Sequence, residues 1–315
     1  MENITTQNVK QKKKSSLSDK KKKDYLFAYG MITYPFLVWA FFWVVSTGSS
    51  ILMAFQKFDI QGNPTWYLGN FKDAWNLVFN TENSLPMIGF KNGLKYWFFT
   101  QIVATPITIM FSFLIYKKIP AFRLMRIMMM VPAIISGFVM TMVMKFFING
   151  PMVSVFQSLG LNIGMPLRDP NYTNGILIFY TIWTGFGSSV LLYSNAFKEI
   201  DQSIVESAHL DGVTGMWKEI IYICIPAIFP MVTTMLIGVS GCIFTLGGPL
   251  MAFYMYNAPS YTYSFGYWMT LQTYNVTDIM GYPVLTATGF MLSAVTIPIV
   301  YTVRHLCNKY GPSEE

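Results

Sequence analysis

The sequence predicts an all-α membrane protein with six transmembrane helices and its amino terminus in the cytoplasm. Three observations carry the prediction. Only 12% of the 315 residues are charged while 53% are hydrophobic, against about 25% charged in ordinary soluble domains. Mean hydropathy is +0.41, and a soluble chain of this length still has a large surface to wet. The apolar residues also fall in long blocks, and a bilayer core about 30 Å thick needs about 20 apolar residues per helix.

The blocks follow in order. A lysine-rich tail occupies residues 1–24; eight lysines lie within residues 10–23 and carry most of the net charge of +7. Its polar, low-complexity composition predicts a disordered cytoplasmic tail, although such a run also suits nucleic acid or anionic lipid. The remainder, 25–310, contains spans at about 25–55, 94–116, 125–147, 176–197, 223–246 and 285–303, and 311–315 form a short cytoplasmic tail. The first block is longer than a span needs and has no small-residue cleavage site behind it, so it does not read as a signal peptide. Pro226 and Pro230 fall in the predicted first turns of the fifth block, where proline is best tolerated.

Orientation follows from the basic residues. With the amino terminus inside, inner segments hold sixteen Lys and Arg and outer segments six, and the short connection 117–126 is itself basic. Lys145, near the outer end of the third block, either snorkels to the interface or lines a pore. The outer segments 56–93, 148–175 and 247–284 are rich in aromatics such as Trp66, Trp75, Tyr254, Tyr267 and Trp268. They suit an interfacial belt or a docking surface equally. Cys224, Cys242 and Cys307 have no metal-ligand or C-x-x-C spacing, and His209 and His305 are far apart in sequence, so no metal or catalytic cluster is expected.

One inner segment differs from the others. Residues 198–222 mix Lys198, Glu199, Asp201, Glu206, Asp211, Lys218 and Glu219 with Ile204, Val205, Leu210, Met216 and Trp217. Ile204, Ala208 and Leu210 share roughly one helix face, with Glu206 pointing away. Asp211-Gly212 marks a turn, and Thr214 can cap a second helix holding Trp217 and Lys218. A helix–turn–helix carrying buried-type residues beside acidic ones suits docking to a partner.

Here the sequence resembles a family. Glu206-Ser207-Ala208, Asp211-Gly212 and Ile223-Cys224-Ile225-Pro226 are similar to the "EAA…G…I-x-L-P" signature of ABC importer permeases. Pro132-Ala133-Ile134-Ile135-Ser136-Gly137 with Lys145-Phe146-Phe147, then Leu159-Gly160-Leu161, Asp169-Pro170, Ile182-Trp183 with Gly185, and Gly281-Tyr282-Pro283, continue the resemblance in order to the carbohydrate permeases. It covers about residues 25–310. Ser207 stands for the first alanine, Gly212 to Pro226 is one residue longer than the pattern, and Asp201 stands where an isoleucine–proline pair usually precedes the motif. These departures bear on docking geometry. Either Gly247-Gly248-Pro249 or Met255-Tyr256-Asn257-Ala258-Pro259 matches the family's motif after the fifth span.

The resemblance implies a type I ABC importer permease fold, part of a binding-protein-dependent sugar importer of the maltose and multiple-sugar type in a bacterial plasma membrane, both termini cytoplasmic. Glu206, Ser207, Ala208, Leu210, Asp211 and Gly212 would couple to the ATPase, and Tyr180, Trp183, Gly185 and Tyr193 would line the substrate path. In the family, residues matching Trp183 and Gly185 line the sugar site; aromatic faces suit sugar rings and glycine admits a ligand to the backbone. The chain has no G-x-x-x-x-G-K-[ST] loop, so it is not itself expected to be an enzyme or to carry a cofactor. The implied partners are an ATPase dimer holding ATP and Mg, a second permease completing a heterodimer, an extracellular sugar-binding lipoprotein and membrane lipid, with no nucleic acid. The alternatives are a secondary transporter, disfavoured by the scarcity of acidic residues in the spans, and import of another solute such as a polyamine.

Overall fold

The computed structural model describes residues 2–80, 84–160, 163–245, 249–276 and 279–312. Leu161, Gly247, Gly248 and tail residues 313–315, all named above, lie outside the described residues. Among the described residues six helices are long and apolar enough to cross a membrane: Lys21–Ala54, Leu85–Tyr116, Gly137–Ser158, Pro170–Lys198, Met216–Gly241 and Ile279–Tyr310.

The first of these is the apolar part of α1 (Glu2–Ala54). The lysine-rich segment, expected to be disordered, continues this helix. Lysine is a good helix former, and extending an existing helix avoids the nucleation cost. Past Ala54 the chain forms a hairpin of β1 (Gln56–Phe58) and β2 (Pro64–Trp66), Gln56 opposite Trp66, and then α2 (Gly69–Phe79). Buried Asn70 fastens the two together. Its amide donates to the Ala54 carbonyl at 3.0 Å and the Gln56 carbonyl at 2.7 Å.

The second span is a continuous rod of α3 (Leu85–Phe98), a π-helical segment Phe99–Ala104, and α4 (Thr105–Tyr116). It starts well before the predicted Leu94, because Ser84 caps the helix and Pro86 occupies its first turn. The third predicted block is broken. α5 (Phe122–Ile134) ends where Ile135 and Ser136 turn extended, and α6 (Gly137–Phe147) starts anew, running through a π-helical segment Ile148–Met152 into α7 (Val153–Ser158). Pro132 deprives the last turn of α5 of an N–H, and Gly137 follows the break. α8 (Pro170–Lys198) starts on Asp169, whose carboxylate accepts from the Asn171 N–H at 2.9 Å.

Next come α9 (Gln202–Leu210), α10 (Met216–Glu219), a π-helical segment Ile220–Cys224 and α11 (Ile225–Gly241). The last three form one helix. Pro226 and Pro230, expected in first turns, therefore lie inside it, and its amino-terminal cap is Gly215 rather than Thr214. α12 (Leu250–Tyr254), α13 (Phe265–Asn275) and α14 (Tyr282–Tyr310) complete the chain.

Packing is centred on α8, which lies against α4 and α5, and on α14, which lies against α1, α2 and α11. Small residues permit the closest approaches, as membrane helix pairs require. An added Cβ at Gly187 of α8 would sit 2.1 Å from the Met129 carbonyl of α5, and one at Gly89 of α3 would sit 2.7 Å from the Phe265 nitrogen of α13. Between Tyr25 and Val45 the large apolar side chains of α1 are exposed. Many outer-segment aromatics serve neither belt nor docking surface. Phe253, Phe265, Tyr267 and Trp268 are buried, whereas Trp66, Trp75, Tyr256 and Tyr274 are exposed. The Tyr254 hydroxyl donates to the Leu167 carbonyl at 2.6 Å and that of Tyr267 to the Met255 carbonyl at 2.8 Å; burial pushes both phenols up. Lys145 does not simply snorkel: its ammonium donates to the Phe253 carbonyl of α12 at 2.8 Å.

Candidate functional site

Two places concentrate polar chemistry. The first is the segment between α8 and α11. Asp201 caps α9, accepting from the Ser203 N–H at 3.0 Å. That bond and the Ser203 hydroxyl hold its carboxyl below the usual carboxylate range. Only Val205 of α9 is buried; Ala208 is half-buried. The face expected from Ile204, Ala208 and Leu210 is thus not the seated one: Ile204 is 55% exposed and Leu210 90%. Val205, Ala208 and His209 have the i, i+3, i+4 spacing that meets the neighbouring helix. Glu206, Leu210 and Asp211 project outward, and the Ser207 hydroxyl bonds back to the Ser203 carbonyl at 2.8 Å. Gly212 and Gly215 hold φ of +85° and +100°, the left-handed side of backbone space that side chains resist. They reverse the chain between α9 and α10.

Behind this turn sits a constellation that separation in sequence concealed. Glu219, its side chain 6% exposed, pairs with Lys117 at the end of α4. His209 Nε2 lies 3.8 Å from the other carboxylate oxygen. A cavity of about 420 Å³ adjoins the group, walled by Phe113, Leu114, Ile119 and Met216.

The second place is a cavity of about 250 Å³ between α4 with its preceding π segment, α8, and α11. Its α8 wall carries Thr181, Gly185, Ser189 and Tyr193 at successive intervals of four residues, one helical face. Thr100, Gln101, Thr105 and Thr108 face them. Of the four path residues expected on α8, Gly185 and Tyr193 are here. Tyr180 and Trp183 are not. Two residues apart on a helix means about 200° of rotation, so Trp183 cannot share a face with Gly185. Tyr180 is 3% exposed in the core; its hydroxyl lies 2.7 Å from that of Thr141, and its ring packs edge-on to Phe253. Trp183 is half-buried against the same cluster and stacks on Phe179.

The aliphatic hydroxyls of this cavity have a common orientation. Those of Thr100, Thr108, Thr181 and Ser189 donate to carbonyls on their own helices at 2.7–3.1 Å. The Gln101 amide donates to the Leu236 carbonyl at 2.8 Å. The protons of these groups are thereby engaged, so they turn lone pairs and methyl groups to the cavity, while the Tyr193 phenol remains a donor. No charged side chain lines it. Spacing of Thr and Ser at four-residue intervals within an apolar block was the sequence signal for Thr181 and Ser189; nothing in the sequence alone joined Gln101 to them. Among the described residues no three His, Cys, Asp or Glu side chains converge as a metal site.

The fold matches solved structures over nearly its whole length. A bacterial ABC transporter involved in import of the acidic polysaccharide alginate aligns with TM-score 0.76 at 20% identity, covering 93% of this chain and 99% of that one. The alginate transporter in complex with its alginate pentasaccharide-bound periplasmic protein aligns at 0.74 and 21% identity, covering 91% and 96%. In sequence, the chain is 26% identical over 228 residues to the probable ABC transporter permease protein YesP of Bacillus subtilis strain 168, covering 67% of this chain and 68% of that protein. The chain resembles the ABC importer permeases of the carbohydrate type in sequence and in fold. The arabinooligosaccharides transport system permease protein AraP of the same organism is 23% identical over 67% of this chain and 66% of itself. The lactose transport system permease protein LacF of Rhizobium radiobacter is 28% identical over 42% and 45%. No family model matches the sequence.

Proposed function

We propose that this permease is one half of a gated path for uncharged oligosaccharides in an ATP-driven importer, with its amino terminus and residues 199–215 on the cytoplasmic side. The observation that carries the reading is the uncharged, acceptor-lined cavity between α4, α8 and α11. A wall of lone pairs and methyl groups suits a solute that presents many hydroxyl donors and apolar ring faces. A carboxylate would meet no cation in this wall, and a polyamine would find no carboxylate to pair with. The names of two relatives, importers of arabinooligosaccharides and lactose, agree with that chemistry better than the acidic polysaccharide of the solved neighbours.

The cavity is smaller than the roughly 300–1,000 Å³ usual for a ligand pocket, so a second permease completes it. Substrate would arrive from an extracellular binding protein, and a separate ATPase would engage Glu206, Ser207, Ala208, Leu210, Asp211 and Gly212. Alternating access would then be a rocking of the two bundles about the shared path.

Gly185 offers the test. A Cβ there meets nothing within 4 Å, so Gly185→Leu fits the fold while filling the cavity. In proteoliposomes holding the complete importer, it should assemble with the ATPase at wild-type level and lose uptake of lactose or arabino-oligosaccharides. Wild-type complex should leave alginate oligosaccharides outside. Unchanged uptake by the assembled variant removes this cavity from the path, and alginate uptake refutes the uncharged class.

A further inference from the structure

We propose that Glu219 is the positioning residue that makes the coupling turn and the cavity-lining helices move as one body. The inference rests on reading 199–215 as the ATPase-coupling element. Glu219 sits where three elements meet. It begins the helix that becomes α11, it pairs with Lys117 at the end of α4, and it faces His209 on α9. A carboxylate this deeply buried is tolerable only when paired, and it ties its partners together in proportion.

The partners are themselves held. Lys117 is the carboxyl-terminal cap of α4, and the turn that follows places Lys118 and Ala121 at φ of 52° and 66°. Its ammonium also lies 5.6 Å from the Phe113 ring. Phe113 packs with Phe197 of α8 and with Ile220 and Cys224 just beyond Glu219. On the other side, Glu219 N–H donates to the carbonyl of Gly215, the positive-φ residue ending the coupling turn. A push on the exposed residues of α9 therefore reaches Glu219 through His209 and through the Gly212–Gly215 turn. From Glu219 it passes to α4, which carries Thr105 and Thr108 of the cavity, and to α11, which carries Met235 and Val239 of it. Val205 is the other seat of α9, an apolar contact that can slide, whereas the Lys117–Glu219 ion pair fixes the register of α4 against the helix that becomes α11.

The test uses the complete importer in lipid nanodiscs, with its binding protein loaded from a mixture of lactose and arabino-oligosaccharides. It reads bound ATPase, basal hydrolysis, and the ratio of stimulated to basal hydrolysis. Glu219→Gln and Lys117→Met should each keep the ATPase and the basal rate while lowering the ratio at least about fivefold, the lower end of ordinary coupling factors. Lys117→Arg should keep the ratio, and the exchange Lys117→Glu with Glu219→Lys should recover at least half of it. A merely structural ion pair would lower assembly and leave the ratio of the assembled fraction unchanged, which overturns the proposal. An assembled exchange variant with no recovery overturns it too. Should the single variants fail to assemble, Glu219→Asp keeps the charge and shortens the reach; a lowered ratio supports the joint and a wild-type ratio refutes it. If wild-type complex carries no ATPase or shows no stimulation, the failure is that of the coupling reading itself.

Discussion

Gly187 gives the sharpest test of how the bundle is held. It is buried on α8, and an alanine Cβ there would lie 2.1 Å from the Met129 carbonyl oxygen, 2.8 Å from its carbon and 3.1 Å from the Met130 Cα. Ordinary contact begins near 3.4 Å, so α5 must retreat by roughly 1.3 Å at this point. The obstacle is backbone and cannot rotate away. Nor can α5 slide freely, because the turn at Lys118 and Ala121 fixes one end and the break at Ser136 the other. Overpacking of this kind costs about 1–3 kcal/mol. Alanine returns about 1 kcal/mol of helix propensity, so a net loss of up to about 2 kcal/mol is expected. Gly185, two residues away on the same helix, has nothing within 4 Å and is the matched control: Gly185→Ala should be neutral or stabilising. The measurement is the temperature of half-loss of folded, fluorescently tagged permease in detergent, at one heating rate because such losses are irreversible. Equal midpoints for the two variants would refute the close α5–α8 packing.

Three further outcomes are expected. Tyr180→Phe removes the hydrogen bond to Thr141, buried between α6 and α8; the loss should be about 0.6–1.7 kcal/mol in the same melting assay, the range of interhelical bonds in membrane proteins. Gly212→Val forces a β-branched residue to φ +85°, at a cost of roughly 1–2 kcal/mol. It should lower stimulated hydrolysis in the assembled complex, while Gly212→Asn, better suited to that conformation, should lower it less. Asp201 is held below the usual carboxylate range by Ser203, so its support of α9 is present above the ordinary Asp pKa and fades as pH falls through the lowered value. Hydrogen exchange of 202–210 should show that fading in the wild type; Asp201→Asn, which keeps an acceptor without the charge, should not.

The membrane blocks were legible because apolar length is a property of contiguous residues. What the sequence concealed depends on rotation and on distance along the chain. Trp183 and Gly185 share a motif but not a helix face, and counting 100° per residue from Gly185 leads instead to Thr181, Ser189 and Tyr193. Val205 rather than Ile204 is seated, on the side of α9 from which His209 faces Glu219. His209 has no second histidine nearby in sequence. Its neighbours are Glu219, across a turn, and through that carboxylate Lys117 at the end of α4.

The prolines show the same division. Their identity marks trouble in a helix, but only the structure shows how it is absorbed. Pro106 and Pro226 each follow a π-helical segment by two residues, Phe99–Ala104 and Ile220–Cys224, and Pro151 lies inside the third, Ile148–Met152. Proline has no N–H and crowds the carbonyl of the preceding turn. A widened turn takes in an extra residue, re-registers the ladder, and leaves the helix continuous through the bilayer, as membrane helices must be. Two of these wide turns sit where polar work is done. The first presents Thr100 and Gln101 to the cavity. The other begins directly after Glu219, so the buried ion pair and the wide turn of the fifth span are adjacent. A helix clamped at Glu219 and kept continuous through the wide turn just beyond it would carry a displacement of the Gly212–Gly215 turn on to Met235 and Val239.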